Sequence, residues 1–221
     1  MQEVKKIVVL GPESTGKSSL CALLAEHYKT VWCPEYAREY LLVNGMNYTY
    51  NDLLTIAKAQ IDLEDEYLEK VSGPPSIVHR PASENSPSLI IPSVSGANDE
   101  KSSQWTMDDG RWTSPAPPLL FVDTDMYVMK VWCEYVFNQC HSFILEKIVE
   151  RKYDLYLLCN IELPWIKDEL REYPDLKRRK ELYEIYKDIL INQTVPWAEV
   201  SGNYEQRLHT AIKAVDALIT S

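Results

Sequence analysis

Short apolar runs alternate along the chain with longer segments in which apolar residues recur every three or four positions. The β-branched run KKIVVL at 5–10 ends directly at a glycine, and the segment 17–28 carries Leu20, Leu24 and Tyr28 at helical spacing. This order predicts a strand, a loop and a helix. Similar apolar runs predict four further strands, at 30–33, 119–122, 154–159 and 195–200.

Helical patterns fill most of the intervals between these strands. Thr49 and Asp52 have the spacing of a capping box, which predicts that a helix starts there. Helical signals run from 126 to 149, an amphipathic helix follows the basic run 177–180, and a last helix covers 204–219. The apolar face of the helix after Thr49 comprises Leu53, Ile56, Ala57, Gln60 and Ile61.

The alternation of strands and helices predicts an α/β fold with a doubly wound, five-stranded parallel sheet. We expect residues 1–221 to form a single domain of this kind. Residues 73–118 hold eight of the thirteen prolines and nine serines, with little periodic apolar content. This segment predicts an irregular Pro/Ser-rich surface insertion, with a substrate lid or a second folded domain as alternatives.

Composition narrows the class of partner. The 33 acidic and 23 basic residues give a net charge of -10, and an acidic chain repels phosphate backbones, so we expect no nucleic-acid partner. No apolar run approaches the roughly 20 residues that span a bilayer, which predicts a cytoplasmic protein without a membrane partner. The five cysteines form no CxxC pair, and Cys21 and Cys159 are expected to be reduced core residues.

The segment from Gly11 to Ser18 matches the phosphate-loop pattern GxxxxGK[ST] and lies between a predicted strand and a predicted helix. In this geometry Lys17 reaches the β and γ phosphates and Ser18 coordinates Mg²⁺. A glycine turn without function would not explain Lys17 and Ser18 together. The motif therefore predicts ATP and Mg²⁺ as cofactors. We expect these residues to bind the nucleotide: Gly11, Glu13, Ser14, Thr15, Gly16, Lys17, Ser18 and Ser19.

Two carboxylates, Asp123 and Asp125, follow the uninterrupted apolar strand at 119–122. In a P-loop fold such a strand emerges beside the phosphate loop, so we expect Asp123 to bind Mg²⁺ together with Ser18. Many buried strands also end in an aspartate that only caps a helix. Asp125 is expected either to cap the next helix or to act on the substrate as a catalytic group.

Glu35 and Arg38 follow the second strand, and ligands of open α/β sheets bind beyond the carboxyl ends of strands. We therefore expect both side chains to line the cleft opposite the phosphate loop. Glu35 could accept the proton of an attacking hydroxyl, and Arg38 could hold a ribose or developing phosphate charge. The alternative is a helix N-terminus in which Glu35 only complements the helix dipole.

Three more residues are candidates for closing or lining the cleft. The segment after the fourth strand is a lid in small P-loop kinases, which makes Arg171 a catalytic candidate, with a solvated charged face as the alternative. Tyr36 and Trp132 could stack on a ring of the substrate. Both aromatic side chains would equally suit core packing.

Five segments resemble, in order, the ribosylnicotinamide kinase domains of the NadR family. The resemblance covers residues 4–72 and 119–219 and implies a kinase that uses ATP and Mg²⁺ to phosphorylate the ribose 5'-hydroxyl of nicotinamide riboside. The product would be nicotinamide mononucleotide, an intermediate of NAD biosynthesis. The segments are GPESTGKSSL at 11–20, PEYAREY at 34–40, LLFVDTD at 119–125, PWIKDELREYP at 164–174 and VPWAEVSG at 195–202.

Position by position, the resemblance assigns the family's phosphate loop, acidic motif, DTD motif and lid arginine to residues already singled out. Two departures stand out: Glu169 replaces a usual lid glycine, and the insertion at 73–118 is long. A P-loop does not read the acceptor, so a kinase of another nucleoside or vitamin-like alcohol stays open. A P-loop ATPase or switch acting on a protein partner is a further alternative. The assigned positions are Gly11 to Ser18, Glu35, Arg38, Asp123, Asp125 and Arg171.

Overall fold

The structure, a computed structural model, describes residues 3–72, 117–165 and 175–220. Most of the predicted insertion, and Arg171, lie outside these residues. The strands are β1 (Lys5–Leu10), β2 (Val31–Cys33), β3 (Leu119–Asp123), β4 (Leu155–Cys159) and β5 (Trp197–Val200). The helices are α1 (Lys17–His27), α2 (Tyr36–Asn44), α3 (Tyr50–Ser72), α4 (Met126–Phe137), α5 (Ser142–Glu150), α6 (Leu176–Ile191) and α7 (Tyr204–Thr220).

All five strands are parallel and follow the order β2-β3-β1-β4-β5, which confirms the predicted doubly wound sheet. Strands β1 and β3 are direct neighbours, with Val9 paired opposite Asp123. After β1 the chain crosses to β2 on one side of the sheet order, and after β3 it crosses to β4 on the other side. A crevice for a ligand therefore opens between their carboxyl ends.

Alternate strand residues face opposite sides of the sheet, and both sides are covered. On one side Ile7, Val9 and Phe121 pack against α1 and α7. On the other side Val8 and Leu10 belong to a cluster that includes residues of α4 and α6. Burial on both faces explains why the strand sequences are continuous apolar runs and not alternating ones.

The helical signals at 126–149 correspond to two helices, α4 and α5, with a break between them. Helix α4 ends at Phe137, and Asn138 caps it with a left-handed φ of 54°. Asparagine adopts this conformation more readily than most residues, because its short polar side chain can hydrogen-bond locally. The break lets α5 turn back onto α4, where Ile144 is fully buried.

Helix α6 begins before the basic run at 177–180, whereas the sequence pattern had placed it after. The Asp175 carboxylate caps the helix by accepting a hydrogen bond from the Lys177 N–H at 3.1 Å. Arg179 is only 3% exposed, and its guanidinium donates to the carbonyl oxygens of Ile161 and Leu163 at 3.3 and 3.4 Å. The basic run is thus not simply a solvated charged face, since one of its arginines anchors α6 to the loop after β4.

Smaller predictions can be compared with the described residues as well. The capping box exists: the Thr49 N–H donates to Asp52, and the Asp52 N–H donates to Thr49 Oγ1 at 3.3 Å. All five cysteines are free, and Cys21 and Cys159 are buried as expected. Among the helices described, none has the length and apolar character that crossing a membrane requires.

Candidate functional site: the phosphate loop and the end of β3

The loop between β1 and α1 depends on glycine at two positions. Gly11 has a φ of 144°, and a Cβ there would lie 2.8 Å from the Cys159 carbonyl oxygen. Gly16 has a φ of 80°, and a Cβ there would lie 3.0 Å from Leu163 Cδ1. Ser14 between them is also left-handed, with a φ of 58°. This backbone curls around the N-terminus of α1, where unpaired N–H groups favour an anion.

Side chains of the loop are tied to it and to the end of β3. Thr15 Oγ1 and Lys17 Nζ both donate to the Pro12 carbonyl oxygen, at 2.8 and 3.2 Å. Ser18 Oγ donates to Asp123 Oδ2 at 2.5 Å. The structure therefore brings the lysine, the serine and the β3 aspartate of the predicted site together. Glu13 is half-buried in the loop, and Ser19 is exposed on α1.

Asp123 is 1% exposed and has one oxygen without a hydrogen-bond partner in the described residues, Oδ1. Burial, and after it the charge of Glu35, raise the pKa of Asp123 to about 6 against the opposing effects of Lys17 and Ser18. A buried carboxylate oxygen that lacks a partner is costly, and a cation bound to it would offset this cost. A carboxylate and a hydroxyl oxygen are also ligands that Mg²⁺ accepts, so Asp123 and Ser18 fit this ion.

Glu35 lies at the end of β2 as the N-cap residue of α2, and its half-buried side chain makes no capping hydrogen bond. Cys33 at the end of β2 pairs with Val122, so Glu35 and Asp123 follow neighbouring strands at the same edge of the sheet, and the charge of Glu35 raises the pKa of Asp123. Gln60 of α3 holds the turn around Glu35. It donates to the Pro34 carbonyl oxygen at 3.2 Å and accepts the Tyr36 N–H at 2.7 Å. The backbone on both sides of Glu35 is thereby held by α3.

Asp125 has the geometry of a helix cap. Its Oδ1 accepts the N–H groups of Tyr127 and Val128 at 3.1 and 3.3 Å, and its Oδ2 accepts the Tyr156 hydroxyl at 3.2 Å. Burial raises its pKa to about 7, against the effect of these hydrogen bonds. Both oxygens are occupied within the protein, which favours the capping alternative over a substrate contact.

Replacing Asp125 with alanine should lower the free energy of unfolding by about 1 to 3 kcal/mol, because a helix cap and the partner of a buried hydroxyl are lost. Asp125→Asn should stay close to the wild type, since the amide oxygen can still accept the capping N–H groups. Urea denaturation of both variants tests this. If the asparagine variant is as stable as the wild type but has lost turnover, the carboxylate acts on the substrate after all.

The remaining candidates lie around α2 and α4. Arg38 is exposed on the first turn of α2. Trp132 is half-buried on α4, where its indole N–H donates to the Tyr48 hydroxyl at 2.9 Å. Tyr36 packs beside Tyr40, with 6.5 Å between ring centroids. Tyr36 and Trp132 pack against the cluster of α2 to α5, so both have packing partners, and their contact with an acceptor stays a prediction.

Sequence reasoning missed three residues that shape the site: Gln60, Tyr156 and Arg207. Gln60 was noted only as part of an apolar helix face, and Tyr156 only as part of a strand. Arg207 lies on α7 between Tyr204 and Ala211, at a position where the helical pattern calls for an apolar residue. A polar side chain on an apolar face was the available signal, because buried polar groups are nearly always hydrogen-bonded.

The fold and this edge of the sheet define a protein with a P-loop kinase-like fold. A family profile described as an AAA domain matches residues 6–78 and 97–207. The match covers more than half of the chain, so the chain belongs to the AAA domain family.

Two curated relatives carry the name trifunctional NAD biosynthesis/regulator protein NadR. The protein from Escherichia coli (strain K12) is 23% identical over 220 residues, which cover 96% of this chain and 42% of the relative. The protein from Salmonella typhimurium is 22% identical over 224 residues, which cover 98% of this chain and 43% of the relative. The chain thus spans about two fifths of the length of these relatives.

Solved structures show the same fold. A NadR protein in complex with NR superimposes with a TM-score of 0.65 at 20% identity, covering 99% of this chain and 51% of that one. A NadR protein in complex with NAD and AMP-PNP gives 0.59 at 19% identity, covering 99% and 50%. Thymidylate kinase from Ehrlichia chaffeensis gives 0.55 at 10% identity, covering 97% and 98%.

Proposed function

We propose that the protein is an ATP-dependent kinase that phosphorylates the ribose 5'-hydroxyl of nicotinamide riboside, giving nicotinamide mononucleotide. One observation carries the proposal: Ser18 Oγ of the phosphate loop donates to Asp123 Oδ2 at the end of β3, and Glu35 follows β2, the strand that pairs with β3. Phosphoryl transfer needs this combination of a phosphate cradle, a metal ligand and a group facing the acceptor. The NadR structure with bound NR supports the choice of nicotinamide riboside.

In the proposed reaction the ribose hydroxyl oxygen attacks the γ phosphorus in line. The bond from that phosphorus to the bridging oxygen breaks, ADP leaves, and the hydroxyl proton passes to Glu35. Lys17 stabilises the charge on the β and γ phosphates. Ser18 and Asp123 would hold Mg²⁺, which neutralises phosphate charge when bound. Glu35 also orients the hydroxyl, since correct placement supplies much of the rate in such reactions.

The other predicted site residues have parts in the same proposal. Arg38 would hold the ribose or the transferring phosphate, and Arg171 would close over the triphosphate as a lid arginine. Tyr36 and Trp132 would stack on the nicotinamide ring. Residues 1–221 would act as a single kinase domain, with 73–118 as an irregular insertion in it. The protein would work in the cytoplasm on a small molecule, without nucleic acid or membrane.

A coupled ADP-release assay tests the proposal. Purified protein is incubated with ATP and Mg²⁺ and with nicotinamide riboside, with each common nucleoside, or with no acceptor. The product is identified by mass spectrometry. We expect ADP release to depend on nicotinamide riboside and to yield nicotinamide mononucleotide in equal amount. Faster release with another nucleoside would replace the proposed acceptor. Release that no acceptor stimulates would point to an ATPase or switch instead.

A further inference from the structure

Arg207 is a buried guanidinium that joins three loops at the carboxyl edge of the sheet. It lies in the first turn of α7 and is 2% exposed. Its three nitrogens each donate to a backbone carbonyl oxygen: Nε to that of Gly202 at 2.7 Å, Nη1 to that of Thr15 at 3.1 Å and Nη2 to that of Asn160 at 2.9 Å. These acceptors belong to the loops after β5, β1 and β4. One side chain therefore fixes the phosphate loop relative to its two neighbours.

The hydrogen bond to Thr15 bears directly on the phosphate loop. The carbonyl of Thr15 and the N–H of Gly16 belong to one planar peptide group and point in opposite directions. Arg207 is buried and pulls this carbonyl toward the protein interior, so the Gly16 N–H is turned toward the concavity at the N-terminus of α1. The left-handed φ of 80° at Gly16 is part of the same backbone conformation.

The carboxylate nearest to the Arg207 guanidinium among the ion pairs described is Glu162, at the limiting distance of 4.0 Å, and its side chain is 52% exposed. The guanidinium is therefore satisfied mainly by backbone carbonyls, and its charge is not cancelled by a close carboxylate. A guanidinium group carries one positive charge. The Arg207 guanidinium therefore places a positive charge directly beneath a loop shaped for an anion, and the surrounding protein screens this charge weakly.

We propose that Arg207 is a positioning residue for the nucleotide: it orients the Thr15–Gly16 peptide group and adds positive potential beneath the phosphate loop. This inference rests on the proposed function, because it assumes that the loop binds a nucleoside triphosphate. Arg207 itself touches the loop backbone and not the phosphates. Its loss should therefore weaken nucleotide binding without changing the acceptor site near α2.

The test measures AMP-PNP binding by calorimetry for the wild type, Arg207→Ala and Arg207→Lys. Arg207→Ala should bind AMP-PNP about 10- to 100-fold more weakly, the loss expected for charged hydrogen bonds. The KM for ATP should rise by a similar factor while the KM for the acceptor stays unchanged. A merely structural role would instead reduce the active fraction and leave both KM values alone.

Chemical rescue separates charge and fork geometry from simple cavity filling. Guanidinium at low, non-denaturing concentration should restore AMP-PNP binding to Arg207→Ala, whereas urea, which has the same shape without the charge, should not.

Arg151→Ala is the matched control. Arg151 is a mostly buried arginine that pairs with Glu64 and Asp65 of α3 near the amino end of β4, away from the phosphate loop. Its loss should lower stability but not nucleotide affinity.

Arg207→Lys keeps the charge but cannot reach three carbonyls, so it should fold and still bind AMP-PNP about 10-fold more weakly. This variant decides the matter if Arg207→Ala does not fold. If a folded Arg207→Lys or Arg207→Ala protein binds AMP-PNP as tightly as the wild type, the positioning role is wrong, and the proposed kinase function is unaffected. A wild-type protein that does not bind AMP-PNP would overturn both this inference and the proposed function.

Discussion

Replacing Lys17 with alanine should leave the protein folded and lower turnover by a factor of about 10² to 10³ or more. Lys17 is half-buried at the mouth of the phosphate loop, and its ammonium donates only to the Pro12 carbonyl oxygen among the hydrogen bonds described. The substitution thus removes a charge from the proposed phosphate site and little core packing. Circular dichroism checks the fold, and steady-state ADP release checks the rate.

Lys213→Ala provides the matched control for this experiment. Lys213 is an exposed lysine on α7, so its loss changes the net charge equally without touching the loop. The control should keep wild-type turnover. A Lys17→Ala protein that is folded and as active as this control would show that the phosphate-loop assignment is wrong.

Replacing Glu35 with glutamine should lower kcat by about 10² to 10⁴ while nucleotide binding stays near the wild-type value. The amide keeps the size of the side chain and the turn held by Gln60, but it cannot accept the proton of the acceptor hydroxyl. Titrations in acceptor and in ATP separate kcat from binding. Glu39→Gln, one turn further along α2 and exposed, is the control and should leave kcat unchanged.

Asp123→Asn should fail in a different way, which makes the comparison with Glu35→Gln informative. Asp123 would supply a negative charge to the proposed metal site through Oδ1, which has no hydrogen-bond partner among the described residues. Its loss should be partly rescued by raised Mg²⁺ or by Mn²⁺, and Glu35→Gln should not respond to either. A Glu35→Gln enzyme that metal restores, or whose kcat is undiminished, would refute the role of Glu35 as the base.

The buried polar groups around the site explain why its carboxylates differ so much. Asp125 and Asp123 are only two residues apart, and both are nearly fully buried. Within the part of the chain that the structure describes, Asp125 receives three hydrogen bonds, whereas one oxygen of Asp123 receives none. The first is therefore satisfied by the fold alone. The second is satisfied only if something else, such as a cation, binds beside it.

The sequence alone determined the phosphate loop, all five strands and the parallel sheet, because these depend on local backbone preferences and on the period of apolar residues. It placed Asp123 correctly beside Ser18, since a strand after a phosphate loop ends at a known edge of such a sheet. It could not separate the two roles of Asp125. That choice depends on which N–H and hydroxyl groups lie around the carboxylate after folding.

Only the tertiary structure revealed Gln60 behind Glu35 and Arg207 beneath the phosphate loop. The bond from Arg207 to Thr15 joins residues 192 positions apart, and no local pattern encodes such a pairing. It arises because β1, β4 and β5 are neighbours at the same sheet edge, so that α7 starts beside the phosphate loop. Periodicity predicts which face of a helix is buried, but strand order and crossovers decide what that face meets.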